Sequence, residues 1–221
     1  MKAMILAAGR GQRLRPLTDT TPKPLLEVEG KPLIAHHLER LRDAGYTHII
    51  INTSWLAEMI QDHLGDGARY GVHIHYSYEG PQPLEVGGGI FKALPELGRD
   101  PFLVVNGDIL TDFPFETLKH RLKHDDLAHL VMVPNPTHHP QGDFHLSTTG
   151  HLRREGEPKL TYSGIGVYKA DFFKGCDAGR FPLLPLMQSA MAVEALSGEL
   201  YAGGWTDVGT LEILQRHTPR K

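Results

Sequence analysis

The stretch "MILAAGRGQRLRPLTDTTPKPLL", residues 4–26, decides the reading of this chain. It opens as a buried strand, with Met4, Ile5 and Leu6, and then turns to glycine, arginine, threonine and proline. Gly9 and Gly11 let backbone N–H groups approach an anion closely, because no side chain stands in the way. Arg10, Arg13, Arg15 and Lys23 put positive charge into the same loop. Pro22 and Pro24 are expected to hold the chain extended on either side of Lys23, which restricts where its ammonium points. Cations fixed over a triphosphate would bind it and stabilise charge developing on phosphorus. Two commoner phosphate loops do not fit. The dinucleotide fingerprint wants a third glycine where Leu14 stands, and an acid where the second strand ends in "INTS", residues 51–54. The P-loop needs Gly-Lys followed by Ser or Thr, which is absent.

Outward from this loop, apolar periodicity alternates between strand and helix. Residues 2–7, 47–54, 72–78, 102–106 and 128–134 read as strands. Residues 32–44, 55–64, a run starting at 88–94, and 115–124 read as helices. Ile34, Leu38 and Leu41 recur at i, i+4 and i+7, one face of a helix that Gly45 stops. Such alternation predicts an α/β fold, a mostly parallel sheet with helices on both faces. Ligands of open α/β sheets sit at the carboxyl ends of the strands, so the loops after 7, 79 and 106 should converge. The last third reads as short strands close together, a small β-region forming a wall beside the first half. A helical run near 181–196 follows, then strand, loop and a helix from about Gly209. One domain over 1–221 is expected.

Composition narrows the class. The chain has 221 residues, 40% hydrophobic and 22% charged, with a formal charge of −3. That charge favours no nucleic-acid partner, and no apolar run is long enough for a bilayer. The single Cys176 excludes an intrachain disulfide and suits a reducing, cytoplasmic setting. The 14 histidines, with His36–His37 and His138–His139 adjacent, lack metal-ligand spacing and read as surface or helix residues.

The motif "LAAGRGQRLRPLTDTTPKPLLEVEGKPLI" resembles the signature of the sugar-1-phosphate nucleotidylyltransferases. "VVNGDIL", "PLEVGGGI", "YSGIGVY" and "WTDVGT" resemble further family motifs, spread over nearly the whole chain. The resemblance implies a Rossmann-like nucleotidyltransferase fold with a mostly parallel mixed sheet, in one domain with 1–135 mainly nucleotide-binding, 136–221 mainly sugar-binding and no C-terminal β-helix. It implies transfer of a nucleotidyl group from a nucleoside triphosphate to a sugar 1-phosphate, with release of pyrophosphate. It implies Mg²⁺ held by Asp108 and Asp207, Arg13 over the β- and γ-phosphates, and Lys23 at the α-phosphate. Ala7, Ala8, Gly9, Gly11, Gln12, Asn106 and the turn at Gly87–Gly88 would flank the nucleotide. For the base, Gln82 offers an amide suited to uracil, and Glu79 is the alternative, suited to guanine. The sugar side is assigned to Gly142, Glu157, Tyr162 and Gly164.

The compact form, "LEVGGGIFKALPEL" and "NPTHHPQGDF" are most similar to the branch that uses UTP and N-acetylmuramate α-1-phosphate in peptidoglycan recycling. Arg153, Arg154 or Lys159 would then meet the lactyl carboxylate of muramate. Three other readings remain: a mannose-1-phosphate guanylyltransferase, a nucleotide-sugar sensor without turnover, and a dehydrogenase. Retention of Arg13, Lys23, Asp108 and Asp207 speaks against the sensor. The missing fingerprint speaks against the dehydrogenase.

Overall fold

The computed structural model describes residues 1–217. Strands are β1 (Ala3–Leu6), β2 (Glu27–Val28), β3 (Lys31–Pro32), β4 (His48–Thr53), β5 (His73–Tyr78), β6 (Phe102–Asn106), β7 (Ile109–Thr111), β8 (Ala128–Val133), β9 (Phe144–Leu146), β10 (Leu152–Arg153), β11 (Lys159–Tyr168), β12 (Leu196–Leu200) and β13 (Trp205–Asp207). Helices are α1 (Leu17–Thr20), α2 (Leu33–Asp43), α3 (Ala57–Leu64), α4 (Glu85–Leu97), α5 (Leu184–Ala192) and α6 (Leu211–Arg216).

Nine strands form one sheet, in the path β10-β9-β11-β6-β1-β4-β5, with β8 on β11 and β12 on β8. β6, β1, β4 and β5 run parallel. β11 is antiparallel to both β6 and β8. Strand residues alternate between the two faces, as the period of 2 requires. Ala3 and Ile5 pack with Ile34, Leu38 and Leu41 of α2 and Ile60 and Leu64 of α3. Met4, Val104 and Leu130 pack on the other face with Ile90 and Ala93 of α4 and Met187 and Ala190 of α5. A smaller cluster of Leu14, Leu26, Val28, Leu33, Val208 and Leu214 ties the opening loop to the segment around β13.

The predicted sheet and its helices are present, with informative differences. The sugar-side strands are not a separate wall. β11 is ten residues long, pairs with β9 at its start and with β6 and β8 further on, and shifts register between Tyr162 and Ile165. The expected helix at 115–124 is a 3-10 turn, Phe115–His120, with only Phe115 and Leu118 buried, the i, i+3 spacing of that tighter coil. α5 is confined to Leu184–Ala192. Pro22 is extended, but Lys23–Leu25 closes a 3-10 turn instead of staying extended. Pro24 is tolerated at its start because it has no N–H to lose there.

The chain order reverses at β1. From β1 it runs to β4 and β5 on one side, then returns to β6 on the other. A crevice opens at the carboxyl ends of two neighbouring strands where such a reversal occurs. The segments after β1 and β6 lie there, joined by the Gly107 N–H donating to the Leu6 carbonyl at 2.9 Å.

Candidate active site

Three connected cavities occupy the crevice. The first, about 280 Å³, is lined by Leu6 to Gly9, Lys23, Pro24, Asn52, Glu79, Pro83, Glu85, Val86 and Asn106 to Asp108. The loops after β1, β5 and β6 therefore converge, as the sheet rule requires. The second, about 370 Å³, holds Arg13, Asp108, Asp207, His138, His139, Asp143 and Tyr162. The third, about 510 Å³, lies between the start of α4 and α5 and includes Asp143, Phe144, Tyr162 and Met187. Asn106 lines all three, and Asp108 lines the first two.

The opening loop separates its cations by function. Arg10 pairs with Asp19 at 3.1 Å and lies 3.3 Å from the centre of the Trp55 ring. Arg15 pairs with the same Asp19 at 3.1 Å. The Trp55 indole N–H donates to the Thr18 carbonyl at 2.9 Å, and the Thr18 hydroxyl to the Gly11 carbonyl at 2.8 Å. These contacts brace the loop against α3's leading segment. Arg13 is left reaching into the second cavity, 3.7 Å from Asp207 and 63% exposed. Lys23 is only 11% exposed and donates to Asp108 Oδ2 at 2.7 Å. Its ammonium thus stands at the junction of the first two cavities. Gln12 lies exposed on the 3-10 turn beside Arg13, while Ala7, Ala8 and Gly9 form cavity wall.

Asp108 and Asp207 are a hundred residues apart in the chain, yet a two-stranded ribbon joins them. Asp207 of β13 is opposite Ile109 of β7, and the Val208 N–H donates to the Asp108 carbonyl at 2.8 Å. Burial, then the charge of Asp108, pushes the Asp207 carboxyl above the usual carboxylate range. Its Oδ1 is buried and has no hydrogen-bond partner. Two facing hard oxygen donors, one of them unpaired, fit Mg²⁺, which takes the rest of its shell from water and phosphate. Beneath Asp108, the fully buried His37 is brought down to about 4 by burial and is neutral at ordinary pH.

The wall against the base differs from expectation. Gln82 is exposed and absent from the cavity lining. Glu79 is buried on the wall, with both oxygens engaged: the Asn52 amide donates to Oε1 at 2.7 Å and the Leu84 N–H to Oε2 at 2.6 Å. The Asn52 side-chain oxygen Oδ1 accepts from the Ala7 N–H at 2.7 Å. This chain ties the first loop to the start of α4. Asn52 escaped the sequence reading because "INTS" was weighed only for the acid it lacks. The polar residue ending an apolar strand was the available signal.

Gly87 and Gly88 are not in a turn. They lie inside α4, where each glycine costs roughly 0.5–1 kcal/mol relative to alanine. Packing explains them. A Cβ on Gly87 would strike the Phe181 ring, and one on Gly88 would overlap the Gly179 carbonyl. The segment 179–181 lies flat on the helix, with the Phe181 N–H donating to the Leu84 carbonyl and the Gly88 N–H to the Phe181 carbonyl, both at 3.1 Å.

On the sugar side only Tyr162 of the four predicted residues lines a cavity. Glu157 is exposed and caps its own loop by accepting from the Lys159 N–H at 3.2 Å. Gly142 packs against Asn135 instead of lining a cavity. Gly164 lies in the bulge of β11 with φ +82°, and a Cβ there would strike the Asn106 side chain. Its role is to let Asn106 approach. Arg153 pairs with Glu194 at 2.7 Å, Arg154 is 71% exposed beside Glu155, and neither they nor Lys159 line the cavities described. The residue the sequence reading missed is Asp143. Its Oδ2 accepts from the Tyr162 N–H at 2.8 Å and its Oδ1 is 3.0 Å from His139 Nε2. It lines the second and third cavities.

Residues 2–219 match the family described as nucleotidyl transferase. The chain belongs to that family. This nucleotidyl transferase is 53% identical over 218 residues to an N-acetylmuramate alpha-1-phosphate uridylyltransferase of Neisseria meningitidis serogroup B, covering 96% of this chain and 94% of that one. It is 32% identical to mannose-1-phosphate guanyltransferase beta-B of Xenopus laevis, over 95% of this chain and 61% of the relative. Its fold matches that of a Bacillus anthracis protein solved with sucrose, with a TM-score of 0.85 at 23% identity, covering 98% and 93% of the two chains.

Proposed function

We propose that this nucleotidyl transferase makes UDP-N-acetylmuramate and pyrophosphate from UTP and N-acetylmuramate α-1-phosphate, with Mg²⁺, as a step in peptidoglycan recycling. The observation that carries the chemistry is the meeting of Lys23, Asp108, Asp207 and Arg13 where the first two cavities join. The sugar and the base rest on the extent of the similarity to the Neisseria relative.

In this reading the uridine occupies the first cavity and its triphosphate runs toward Lys23. The sugar phosphate enters from the third cavity. One of its oxygens attacks the α-phosphorus in line, and the bond from that phosphorus to the bridging oxygen breaks as pyrophosphate leaves. The attacking oxygen is already ionised, so no general base is required. Two polyanions must be brought together, and positioning with electrostatic stabilisation supplies the acceleration. Lys23 donates to a non-bridging oxygen of the α-phosphate as charge builds there. Arg13, flexible and exposed, accompanies the departing pyrophosphate. Asp108 and Asp207 would hold the Mg²⁺. Mg²⁺, when bound, neutralises phosphate charge and orients the reacting oxygens. The Asn52–Glu79 hydrogen-bond chain keeps the base wall in register with the first loop.

The test is pyrophosphate release with Mg²⁺, crossing UTP, GTP, dTTP and CTP with N-acetylmuramate, N-acetylglucosamine, glucose and mannose 1-phosphates. Preference for UTP with the muramate substrate is expected. Preference for GTP with mannose 1-phosphate overturns the pathway and leaves the catalytic centre standing. For the metal, Asp207→Asn should raise the Mg²⁺ concentration for half-maximal rate by about tenfold or more. An unchanged Mg²⁺ dependence removes Asp207 from the metal site.

A further inference from the structure

The third cavity has features that its place beside the reacting centre does not explain. Its wall is largely apolar, with Val86, Phe144, Pro182, Leu183, Leu184 and Met187. Val86 and Leu184 are among the exposed large hydrophobic residues of the described surface. A bare hexose, covered in hydroxyls, gains little from such a wall. A sugar carrying methyl-bearing substituents gains from burying them. The charged residues of the wall are Glu85 and Asp143, both acidic.

Among the described residues, His139 sits against Asp143 of that wall, and the one arginine or lysine paired with the wall is Arg180. Arg180 Nη2 lies 3.0 Å from Glu85 Oε1. Its position is not accidental to a loose loop. The 179–181 segment is hydrogen-bonded to α4 on both sides of Phe181, and Gly88 is bare so that the Gly179 carbonyl can sit against the helix. Glu85 itself adopts φ +62°, a left-handed conformation that a non-glycine residue takes only against a cost. It also lines both the first and the third cavities. A strained acid at the shared rim, holding the local guanidinium, is the arrangement of a counter-ion kept ready for exchange. A guanidinium 64% exposed can turn to a second carboxylate and bind it through two parallel N–H donors.

We infer that Arg180 is a specificity-determining residue that binds a carboxylate carried by the sugar 1-phosphate, the sugar's apolar substituents lying against Val86, Leu184 and Met187. The inference rests on the muramate reading, since the lactyl ether supplies both the carboxylate and a methyl group. Without Arg180, Glu85 and Asp143 would repel an acidic sugar, so the same cavity that admits it with the arginine would disfavour it without.

The experiment is steady-state kinetics on Arg180→Met, which keeps most of the stem, and Arg180→Lys, which keeps the charge. N-acetylmuramate α-1-phosphate is varied at saturating UTP and Mg²⁺. Arg180→Met should raise its KM by about tenfold with kcat little changed, the effect of losing a charged hydrogen-bond partner at a partly exposed site. Arg180→Lys should recover part of that loss, and the KM for UTP should stay at the wild-type value in both. An unchanged KM for the muramate substrate in Arg180→Met, while the wild type turns it over, overturns this assignment alone. A fall in kcat with a parallel rise in the KM for UTP assigns Arg180 to packing of α4 and also overturns it. No wild-type turnover of the muramate substrate overturns the substrate reading together with this assignment.

Discussion

The first cavity, proposed to take the nucleotide, and the third, proposed to take the sugar, are assembled differently. The first is made by the ends of β1, β4, β5 and β6, parallel neighbours that deliver their following loops to one edge. Part of its lining comes early and close together, from Leu6 to Pro24. The third cavity is made by the start of α4, by Asp143 and Phe144, by the bulged middle of β11 and by residues 182–187. No two of these segments are adjacent in sequence. One cavity is the product of a local motif on a regular sheet. The other exists only when distant, individually unremarkable segments have packed.

The difference predicts how each side fails. The largest effect belongs to Lys23, whose ammonium has no substitute at the junction. Lys23→Ala should lower kcat by about 10²–10³-fold while the circular-dichroism spectrum and melting temperature stay near wild type. Wild-type turnover in that variant would break the division, because the motif would then not be where catalysis resides.

Next is Asp143, on the sugar side. Asp143→Ala removes the acceptor of the Tyr162 N–H and the partner of His139. A charged hydrogen bond is worth about 1.5–3 kcal/mol; its loss releases Tyr162 on the cavity wall, which should outweigh the relief of Asp143's repulsion and raise the KM for the sugar phosphate. The KM for UTP should hold. Equal rises for both substrates would show that the two cavities are not separable.

A smaller effect is expected at Gly88, where the two sides are joined. Alanine would gain about 1 kcal/mol of helix propensity. Its Cβ would overlap the Gly179 carbonyl, which as backbone cannot swing aside. Overpacking of that kind costs about 1–3 kcal/mol, so the melting temperature should fall. A rise would mean that the 179–181 segment is free to lift off α4.

The smallest effect belongs to Arg153 and Arg154, exposed and away from the cavities. Alanine at either should leave the KM for the sugar phosphate unchanged and alter stability by no more than about 0.5 kcal/mol. A raised KM would return the sugar's carboxylate to β10 and its following loop and take it from Arg180.

The same contrast explains which parts were readable in advance. The strands around β1 carry apolar runs, and α2 carries Ile34, Leu38 and Leu41 at helical spacing, all three fully buried. Such patterns are short-range. Asp108 was readable through the resemblance of "VVNGDIL" to a family motif, with a buried strand before it to place it at the edge where ligands gather. Asp143 had no such frame, since β9 and β10 are two or three residues long and show no periodicity. Gln82 and Glu157 were chosen by residue type, and type alone could not tell that one would face outward and the other would cap its own loop. The glycines of 87–89 suggested a turn because glycine disfavours helix. Their reason lies in residues 179–181, which a local reading cannot bring next to them.

By itself the sequence determined the α/β order of elements, through short-range periodicity, and a glycine-rich cationic loop after the first strand, through residue chemistry within a few turns of chain. The roles expected of Arg13, Lys23 and the two aspartates came from the resemblance of their motifs to the family. Tertiary structure alone decided that β7 and β13 bring Asp207 to Asp108. It alone turned Arg10 and Arg15 onto Asp19, and it alone paired Arg180 with Glu85, which lines the first and third cavities. Side chains become a site through distances across the fold, and those distances are set by packing between segments whose sequences do not refer to one another.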